Sequence, residues 1–488
     1  MMPDFLRLLR IEMNRNPIFV DLDGTLIKTD ILWESLFILA KNNPSKFIQV
    51  PLWLLRGKAF LKKKIADYAV PDVSVLPYNK ELLFFLRKSK AEGRNLILVS
   101  ATDERVVKKI AEHLNIFNEV FGTSENSNLK GNRKLELLKQ INNEKGFDYV
   151  GNEKADIPLW TASENAYAVT DSRALLNKIP KQSDQIHTFT SDRSFNAIIK
   201  ALRPHQWVKN LLLFLPLILA HEITSHNKII TLIIAFFSFS LCASSVYIIN
   251  DILDIEADRH HSSKKNRPFA AGLLSIPNGL IISICLLTTS FFVSFTWLSI
   301  NFTALLILYF FITSIYSVWI KKILIADVIT LSSLYVLRIF SGSVVVAVPI
   351  TPWFLAFSSF FFLSIALAKR YIELKEYEFH QKKNKRARSY HVDDQQIILT
   401  AGISSGFISI LVFFLYITNS KVVAELYPNP MWLWLIGPLL IYWFTRLWLL
   451  AQRRLVDSDP VLFTLKDLGS WITGILIVCL VILSSLDL

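Results

Sequence analysis

From about residue 211 onward the chain is written in apolar runs: 211–220, 229–249, 276–297, 301–320, 327–347, 353–368, 397–417, 432–450 and 468–482. A run of about 20 apolar residues spans a bilayer as a helix, because lipid offers backbone amides no partner outside the helix itself. About nine such runs predict an all-α polytopic membrane domain over 191–488. The first 190 residues read as an ordinary soluble mixture, so the apolar excess behind the overall 52% hydrophobic content lies in the second part. The polar, aperiodic stretch 179–192 marks the boundary.

The formal net charge is +13, with the basic residues flanking apolar runs. That arrangement suits loops on an anionic leaflet and anionic substrates, and it argues against a nucleic-acid partner, which would call for a separate basic domain. The loops with Lys264/Lys265/Arg267, Lys321/Lys322, 369–388 and Arg453/Arg454/Lys466 alternate with charge-poor ones, so the positive-inside rule places them all in the cytoplasm. With nine spans the N-terminal domain is then cytoplasmic, at the inner membrane, and the C-terminus lies outside. Residues 1–16 lack the apolar core and cleavage site of a secretory signal. Cys242, Cys285 and Cys479 sit inside apolar runs, with neither disulfide nor zinc spacing.

Within residues 1–190, Pro17-Ile-Phe-Val-Asp21-Leu-Asp23-Gly24-Thr25 is a buried strand ending in two aspartates and a glycine turn. Further strands end at Ser100-Ala-Thr102, run through Asp148-Tyr-Val-Gly151 into a turn with Asp156, and cover 166–170. Helical patterns at 103–114 and 133–141 separate them, which predicts a doubly wound α/β domain. Carboxylates at the carboxyl ends of parallel strands are where such folds place their chemistry. Within the insert 27–94, the stretch 51–64 mixes Trp53, leucines and lysines. That pattern suits a helix at an anionic membrane surface and, equally, an ordinary cap helix.

The chemistry of the second domain centres on Asn250-Asp-Ile-Leu-Asp-Ile-Glu-Ala-Asp258, at the end of an apolar run. On a continuous helix Asp251, Asp254 and Asp258 fall within an arc of roughly 60°. Three carboxylates at a membrane surface call for a cation, and Mg²⁺ favours one or two carboxylates together with phosphate oxygens. Lys264 and Arg267 follow at once as phosphate contacts. Arg203 and Lys209 stand at a membrane entry, where they serve as interfacial anchors or phosphate ligands. Tyr316, Lys321, Asp327, Arg338, Lys369 and Arg370 put further polar groups in or beside spans. Buried ionisable groups there are costly and usually functional; for the paired Lys321/Lys322 and Lys369/Arg370, topology signalling is the plainer role.

Asp21-Leu-Asp-Gly-Thr25 resembles the first motif of the haloacid-dehalogenase (HAD) phosphohydrolases. The resemblance implies an α/β Rossmannoid fold with a helical cap over about 27–94. It implies Asp21 as nucleophile and Asp23 as general acid/base. Ser100 would be the phosphate-binding hydroxyl, Lys130 or Lys134 the phosphate lysine, and Asp21, Asp23 and Asp156 a Mg²⁺ set. Gly151-Asn152 departs from the family's usual Gly-Asp, replacing one carboxylate by an amide oxygen.

The second domain resembles the UbiA superfamily of intramembrane prenyltransferases through Asn250-Asp-x-x-Asp254-x-x-x-Asp258. With Arg203-Pro-x-Gln-Trp-Val-Lys-Asn210, Arg267-Pro-x-Ala-Ala-Gly272 and Lys369-Arg-Tyr-x-Glu-Leu374, it is most similar to decaprenyl-phosphate phosphoribosyltransferases. UbiA enzymes generally carry a second aspartate-rich motif; here that region keeps only Asp327. The implied reaction is Mg²⁺-dependent transfer of 5-phosphoribose from phosphoribosyl pyrophosphate to a polyprenyl phosphate. Asp251, Asp254 and Asp258 would hold the metal, and Asn250, Lys264, Arg267, Lys321 and Arg338 would serve the phosphates. The HAD-like domain would then dephosphorylate the product. The rival readings are prenyl transfer from a prenyl diphosphate to a small acceptor, and a transporter or lipid-binding scaffold.

Overall fold

The computed structural model describes residues 16–123, 131–143, 145–179, 186–190, 195–379, 389–419, 421–456 and 459–486. It divides into two compact units: Met1–Leu202 with Tyr247–Ser283, and Arg203–Val246 with Ile284–Leu488. The first unit is therefore discontinuous in sequence, since the acidic segment belongs with the N-terminal α/β domain.

That domain holds a six-stranded parallel sheet: β1 (Ile18–Val20), β2 (Leu96–Asp103), β3 (Glu119–Thr123), β4 (Asp148–Gly151), β5 (Ala166–Val169) and β6 (Ile186–Phe189), in the order β3-β2-β1-β4-β5-β6. Strand β1 sits between β2 and β4, with Val20 in register with Leu98 and Val150. Both faces of this central strand are covered, so it reads as an unbroken apolar run. The edge strands β3 and β6 had no such signature. Strand β6 lies inside the polar stretch 179–192 expected to be a linker.

Helices α1 (Ile31–Asn42), α2 (Lys58–Tyr68), α3 (Lys80–Ala91), α4 (Glu104–Leu114) and α5 (Asn132–Ile141) complete the layers, the last two within one residue of expectation. Asp30 starts α1 by accepting from the Leu32 and Trp33 amides, the N-cap arrangement that satisfies orphan donors. The insert has its own small core of Leu39, Trp53, Leu61, Ile65 and Ala69. The stretch 51–64 is not one helix. It breaks at Gly57, whose φ of 106° a side chain would resist, leaving Trp53 buried and Leu52 and Leu55 exposed.

Among the described residues eight helices are long and apolar enough to cross a membrane. They are α6 (His226–Leu253) and, after the short α7 (Ile255–Arg259), α8 (Ile276–Trp297), α9 (Ile300–Val318), α10 (Ala326–Val346), α11 (Pro352–Phe379), α12 (Gln395–Asn419), α13 (Ile436–Gln452) and α14 (Leu468–Ser485). Leu468, Trp471, Ile475, Val478 and Ile482 form an exposed apolar stripe along α14, as a lipid-facing helix requires. The expected run at 211–220 is not a single long helix. It continues the 3-10 helix Pro204–Phe214 and ends in the five-residue helix Leu215–Leu219, where Pro216 has no amide to donate. Gly342 of α10 lets this segment approach closely, since a Cβ there would lie 2.1 Å from the Leu213 carbonyl oxygen.

Candidate functional sites

At the carboxyl end of β1, Asp21 and Asp23 flank a tight turn completed by Gly24 at φ 75°. A Cβ on Gly24 would lie 2.2 Å from Asn152 Nδ2, so only glycine lets the β1 and β4 turns meet. Lys134, from α5, donates to Asp21 Oδ1 at 2.5 Å, and Thr25 donates to Asp21 Oδ2 at 3.3 Å and to Asn152 Oδ1 at 3.1 Å. Asp23 accepts from Thr102 at 2.7 Å, from Ser100 at 3.3 Å and from the Ile31 amide at 2.8 Å. Burial pushes Asp21 up to about 7 against the pull of Lys134. Burial, with Asp30 nearby, pushes Asp23 up to about 6. Two adjacent carboxylates with one lysine and three hydroxyls are a chemistry suited to a phosphoryl group, since a carboxylate can attack phosphorus, a neighbouring carboxyl can give up a proton and a lysine can neutralise the charge.

Of the two candidate lysines Lys134 reaches Asp21, while Lys130 lies outside the described residues. Asp156, expected as a metal ligand, lies in the turn after β4. Its oxygens accept from Tyr149 Oη at 2.9 Å and from the Asn152 and Glu153 amides at 3.0 Å, so it shapes the turn that presents Asn152. Ser100, the expected phosphate-binding hydroxyl, lies in this cluster, with Thr102 making the shorter of the two hydroxyl contacts to Asp23.

In the acidic segment α6 ends at Leu253, Asp254 occupies the turn, and α7 begins at Ile255. The three carboxylates do not converge as a continuous helix face would place them. Arg267 Nη1 lies 3.2 Å from Asp251 Oδ1 and 2.6 Å from Asp258 Oδ2, whereas Asp254 Oδ1 turns to Lys41 Nζ at 2.8 Å. Asp251 and Asp258 are buried, and burial raises the Asp258 carboxyl despite Arg267. Among the described residues no three carboxylate, imidazole or thiol groups gather tightly enough to hold a metal by themselves. The donor set still fits Mg²⁺. One guanidinium nitrogen already bridges two hard carboxylate oxygens, and Mg²⁺ completes its shell with water and phosphate. Asn250 lies in the last turn of α6 and Lys264 in the turn before Arg267.

Three polar clusters in the second unit take in the expected site residues. Asp327, at the start of α10, accepts from Arg370 Nε at 2.5 Å and from Tyr390 Oη at 2.6 Å; Arg370 also bonds Tyr316 at 3.1 Å and pairs with Glu373. Asp327 and Arg370 are 0% and 1% exposed. In a second cluster Asp459 receives Lys209 at 2.5 Å with Lys369 at 3.9 Å, and the two lysines hold its carboxyl down at about 2 although burial alone would raise it. In the third, Arg338 donates to Asn210 Oδ1 at 2.9 Å, Tyr309 Oη at 2.9 Å and the Leu334 carbonyl at 2.6 Å, its guanidinium lying 4.9 Å from the Tyr309 ring centroid. Asn210 donates in turn to Ser240. Arg203 adopts φ 52° at the start of the 3-10 segment, and Lys321 lies in the turn after α9.

Glu34, Lys41, Tyr309, Tyr390 and Asp459 escaped the sequence reading, which had Asn210 only as the last residue of a motif. Their partners are far away in sequence, and none carries a spacing signal of its own.

Eight apolar helices among the described residues, with buried ionisable groups and joined to a parallel α/β domain, define a multi-pass membrane protein. The chain belongs to the UbiA prenyltransferase family, whose model matches residues 211–471. An uncharacterized protein of Sinorhizobium fredii is 35% identical over 465 residues, 94% of this chain and 89% of that protein. Nodulation protein NoeC of Azorhizobium caulinodans is 30% identical over 283 residues, 58% of this chain and 91% of that protein. The decaprenyl-phosphate phosphoribosyltransferase of Mycolicibacterium smegmatis is 35% identical over 185 residues, 37% of this chain, so the matched part spans 58% of that enzyme.

Proposed function

We propose that this chain transfers 5-phosphoribose from phosphoribosyl pyrophosphate to a polyprenyl phosphate, and that its N-terminal domain, a HAD-type phosphohydrolase, removes the 5-phosphate from the product. The observation that carries the first half is the state of Asp327. Prenyl transfer from a prenyl diphosphate in this family draws on two acidic clusters, but here the lone acid of the second is consumed by Arg370 and Tyr390. One acidic cluster beside cationic residues suits a single metal-bound pyrophosphate and an acceptor that is itself a phosphate. The likeness to decaprenyl-phosphate phosphoribosyltransferases supports the same choice.

Asp251, Asp254 and Asp258 would hold Mg²⁺, which when bound supplies neutralising charge for pyrophosphate as it departs. Arg267 and Lys264 would contact the phosphates directly. An oxygen of the lipid phosphate forms the new bond to C1 of the ribose as the bond from C1 to pyrophosphate breaks, pyrophosphate leaving with the electron pair. A phosphate monoester is already ionised near neutral pH, so no general base is needed. Arg338, Asn210 and Tyr309 would fix the helices around the lipid chain. In the α/β domain Asp21 would attack the 5-phosphate, Asp23 would protonate the departing ribose oxygen, and Lys134 would neutralise the phosphoryl group; Asn152 would supply an amide ligand on the metal side.

The topology supports a ninth crossing. The 11-residue 3-10 segment and the five-residue helix after it rise about 30 Å together, enough to cross the hydrocarbon core. That crossing keeps the N-terminal domain and the acidic loop together in the cytoplasm, at the inner membrane.

The test is to incubate detergent-purified protein with Mg²⁺, labelled phosphoribosyl pyrophosphate and a polyprenyl phosphate, then analyse the lipid phase. Label in the lipid that disappears with Asp254→Asn is expected. Absence of label with wild-type protein, together with prenyl transfer from a prenyl diphosphate, would overturn the reading.

A further inference from the structure

Helix α1 belongs to the α/β domain by sequence, yet both of its charged residues, Glu34 and Lys41, are spent on the acidic segment that starts more than 200 positions later. Glu34 makes a two-pronged ion pair with Arg259, Oε1 to Nη2 at 2.6 Å and Oε2 to Nη1 at 2.9 Å, with both side chains nearly sealed from solvent at 3% and 4% exposure. The remaining Arg259 donor, Nε, is taken by the Ala270 carbonyl at 2.9 Å. Lys41, at the other end of α1, donates to the Leu253 carbonyl at 3.1 Å and to Asp254 at 2.8 Å, a cation on the last turn of α6 where the helix dipole favours it. Asp72 adds a backbone bond to Glu256 at 3.2 Å and a contact to His260 at 3.2 Å.

These contacts bracket the acidic residues. Arg259 follows Asp258 directly, and with its guanidinium held on three sides α7 cannot rotate about its axis. The Asp258 carboxylate is thereby kept toward Arg267 and Asp251. Lys41 fixes the turn that carries Asp254. The amino end of the same helix is tied to the phosphohydrolase carboxylates, since Asp23 Oδ1 accepts from the Ile31 amide.

We propose that the N-terminal domain completes the transferase site: Glu34 and Lys41 are positioning residues for Asp258 and Asp254, although they lie outside the family-matched region. This rests on the reading of the acidic segment as the pyrophosphate side. An exposed ion pair would contribute little, but a desolvated two-pronged pair is costly to leave half-made, so losing Glu34 must displace Arg259 and α7 with it. A shift of about 1 Å at a metal-binding carboxylate is enough to depress rate by orders of magnitude.

The experiment uses full-length protein carrying Asp21→Asn, which removes a metal-side carboxylate of the other site, and reads Mn²⁺ affinity by electron paramagnetic resonance alongside phosphoribosyl transfer. Glu34→Gln is expected to weaken Mn²⁺ binding about tenfold and to cut the transfer rate at least tenfold. Exchanging the charges, Glu34→Arg with Arg259→Glu, is expected to restore both to within about threefold, a rescue that general destabilisation would not give. Lys41→Met, on a partly exposed side chain, is expected to weaken Mn²⁺ binding although it removes a positive charge, and Lys41→Arg to preserve it. Tighter binding in Lys41→Met would show the ammonium competing with the metal and would overturn its positioning role. Parental Mn²⁺ affinity in Glu34→Gln would overturn the proposal as a whole. Because Mn²⁺ binding needs no organic substrate, it decides the matter even where phosphoribosyl transfer fails and the functional reading falls.

Discussion

Asp327→Asn separates a carboxylate fastened into the scaffold from one that serves the reaction. In the structure Asp327 is fully buried, with one oxygen on Arg370 at 2.5 Å and the other on Tyr390 at 2.6 Å. Breaking a buried ion pair from one side costs about 3–5 kcal/mol, because the remaining charge stays desolvated. Arg370 retains Glu373 and Tyr316, and an asparagine oxygen still accepts from Tyr390, so the lower end applies, about 3 kcal/mol. At roughly 2–4 °C per kcal/mol, thermal unfolding in detergent, followed by tryptophan fluorescence, should fall by about 6–12 °C. Below that temperature the transfer rate per folded molecule should stay within severalfold of wild type. Asp254→Asn supplies the contrast: its partly exposed pair with Lys41 contributes little to stability, while transfer should be lost. An Asp327→Asn protein that melts with wild type yet transfers more than a hundredfold more slowly would refute the argument and restore Asp327 as a ligand of metal or substrate.

Three further outcomes are expected. Asp21→Asn should abolish phosphate release from a polyprenyl-phosphoryl-5-phosphoribose while leaving phosphoribosyl transfer intact, which thin-layer separation of the one- and two-phosphate lipids would show. Gly24→Ala should also cost phosphatase turnover, since the new Cβ must displace the Asn152 amide from 2.2 Å and hold φ 75°, a strain of roughly 1–2 kcal/mol read by the melting temperature of the α/β domain. Asp459→Asn should destabilise the membrane domain by about 2 kcal/mol at neutral pH, because Lys369 and Lys209 hold the folded-state carboxyl at about 2 against an ordinary 3.8. A depressed carboxyl contributes fully above its unfolded value, so the gap between variant and wild type should close as pH falls from about 5 toward 2, and chemical unfolding across that range would reveal a gap that persists instead.

Much of this architecture was legible in the chain because it rests on local rules. Helix α8 matches its apolar run residue for residue, and α4 and α5 declared themselves as helical patterns between strands. Strand β1 was readable because a central parallel strand is apolar on both faces, whereas β3 and β6 are half-solvated edges with no run to read. The run at 211–220 was read as one spanning helix, since hydropathy does not register whether a backbone bonds three or four residues back. At the sites, Asp21, Asp23 and Asp251 stood out by spacing. Lys134 could be told from Lys130 only by which of them reached Asp21. The acidic triad was read as one cluster because helical periodicity knows nothing of Lys41, which pairs with Asp254, or of Arg267, which binds the other two. Charge partners hundreds of residues apart leave no local trace.

The discontinuity of the first unit sets a timetable for biosynthesis. Glu34 leaves the ribosome 225 residues before Arg259. At roughly 5–20 residues per second that is about 10–45 s, during which the α/β domain has its sheet but not the guanidinium that neutralises a carboxylate destined for burial. The domain must wait in a loosened form, its α1 wetted, while α6 is threaded into the bilayer. On the nine-crossing topology proposed above, the domain closes only when the following loop returns to the same side. The nascent chain would then carry its own check on insertion, since a loop left on the other side would separate Arg259 from Glu34 and leave Glu34 exposed to quality control.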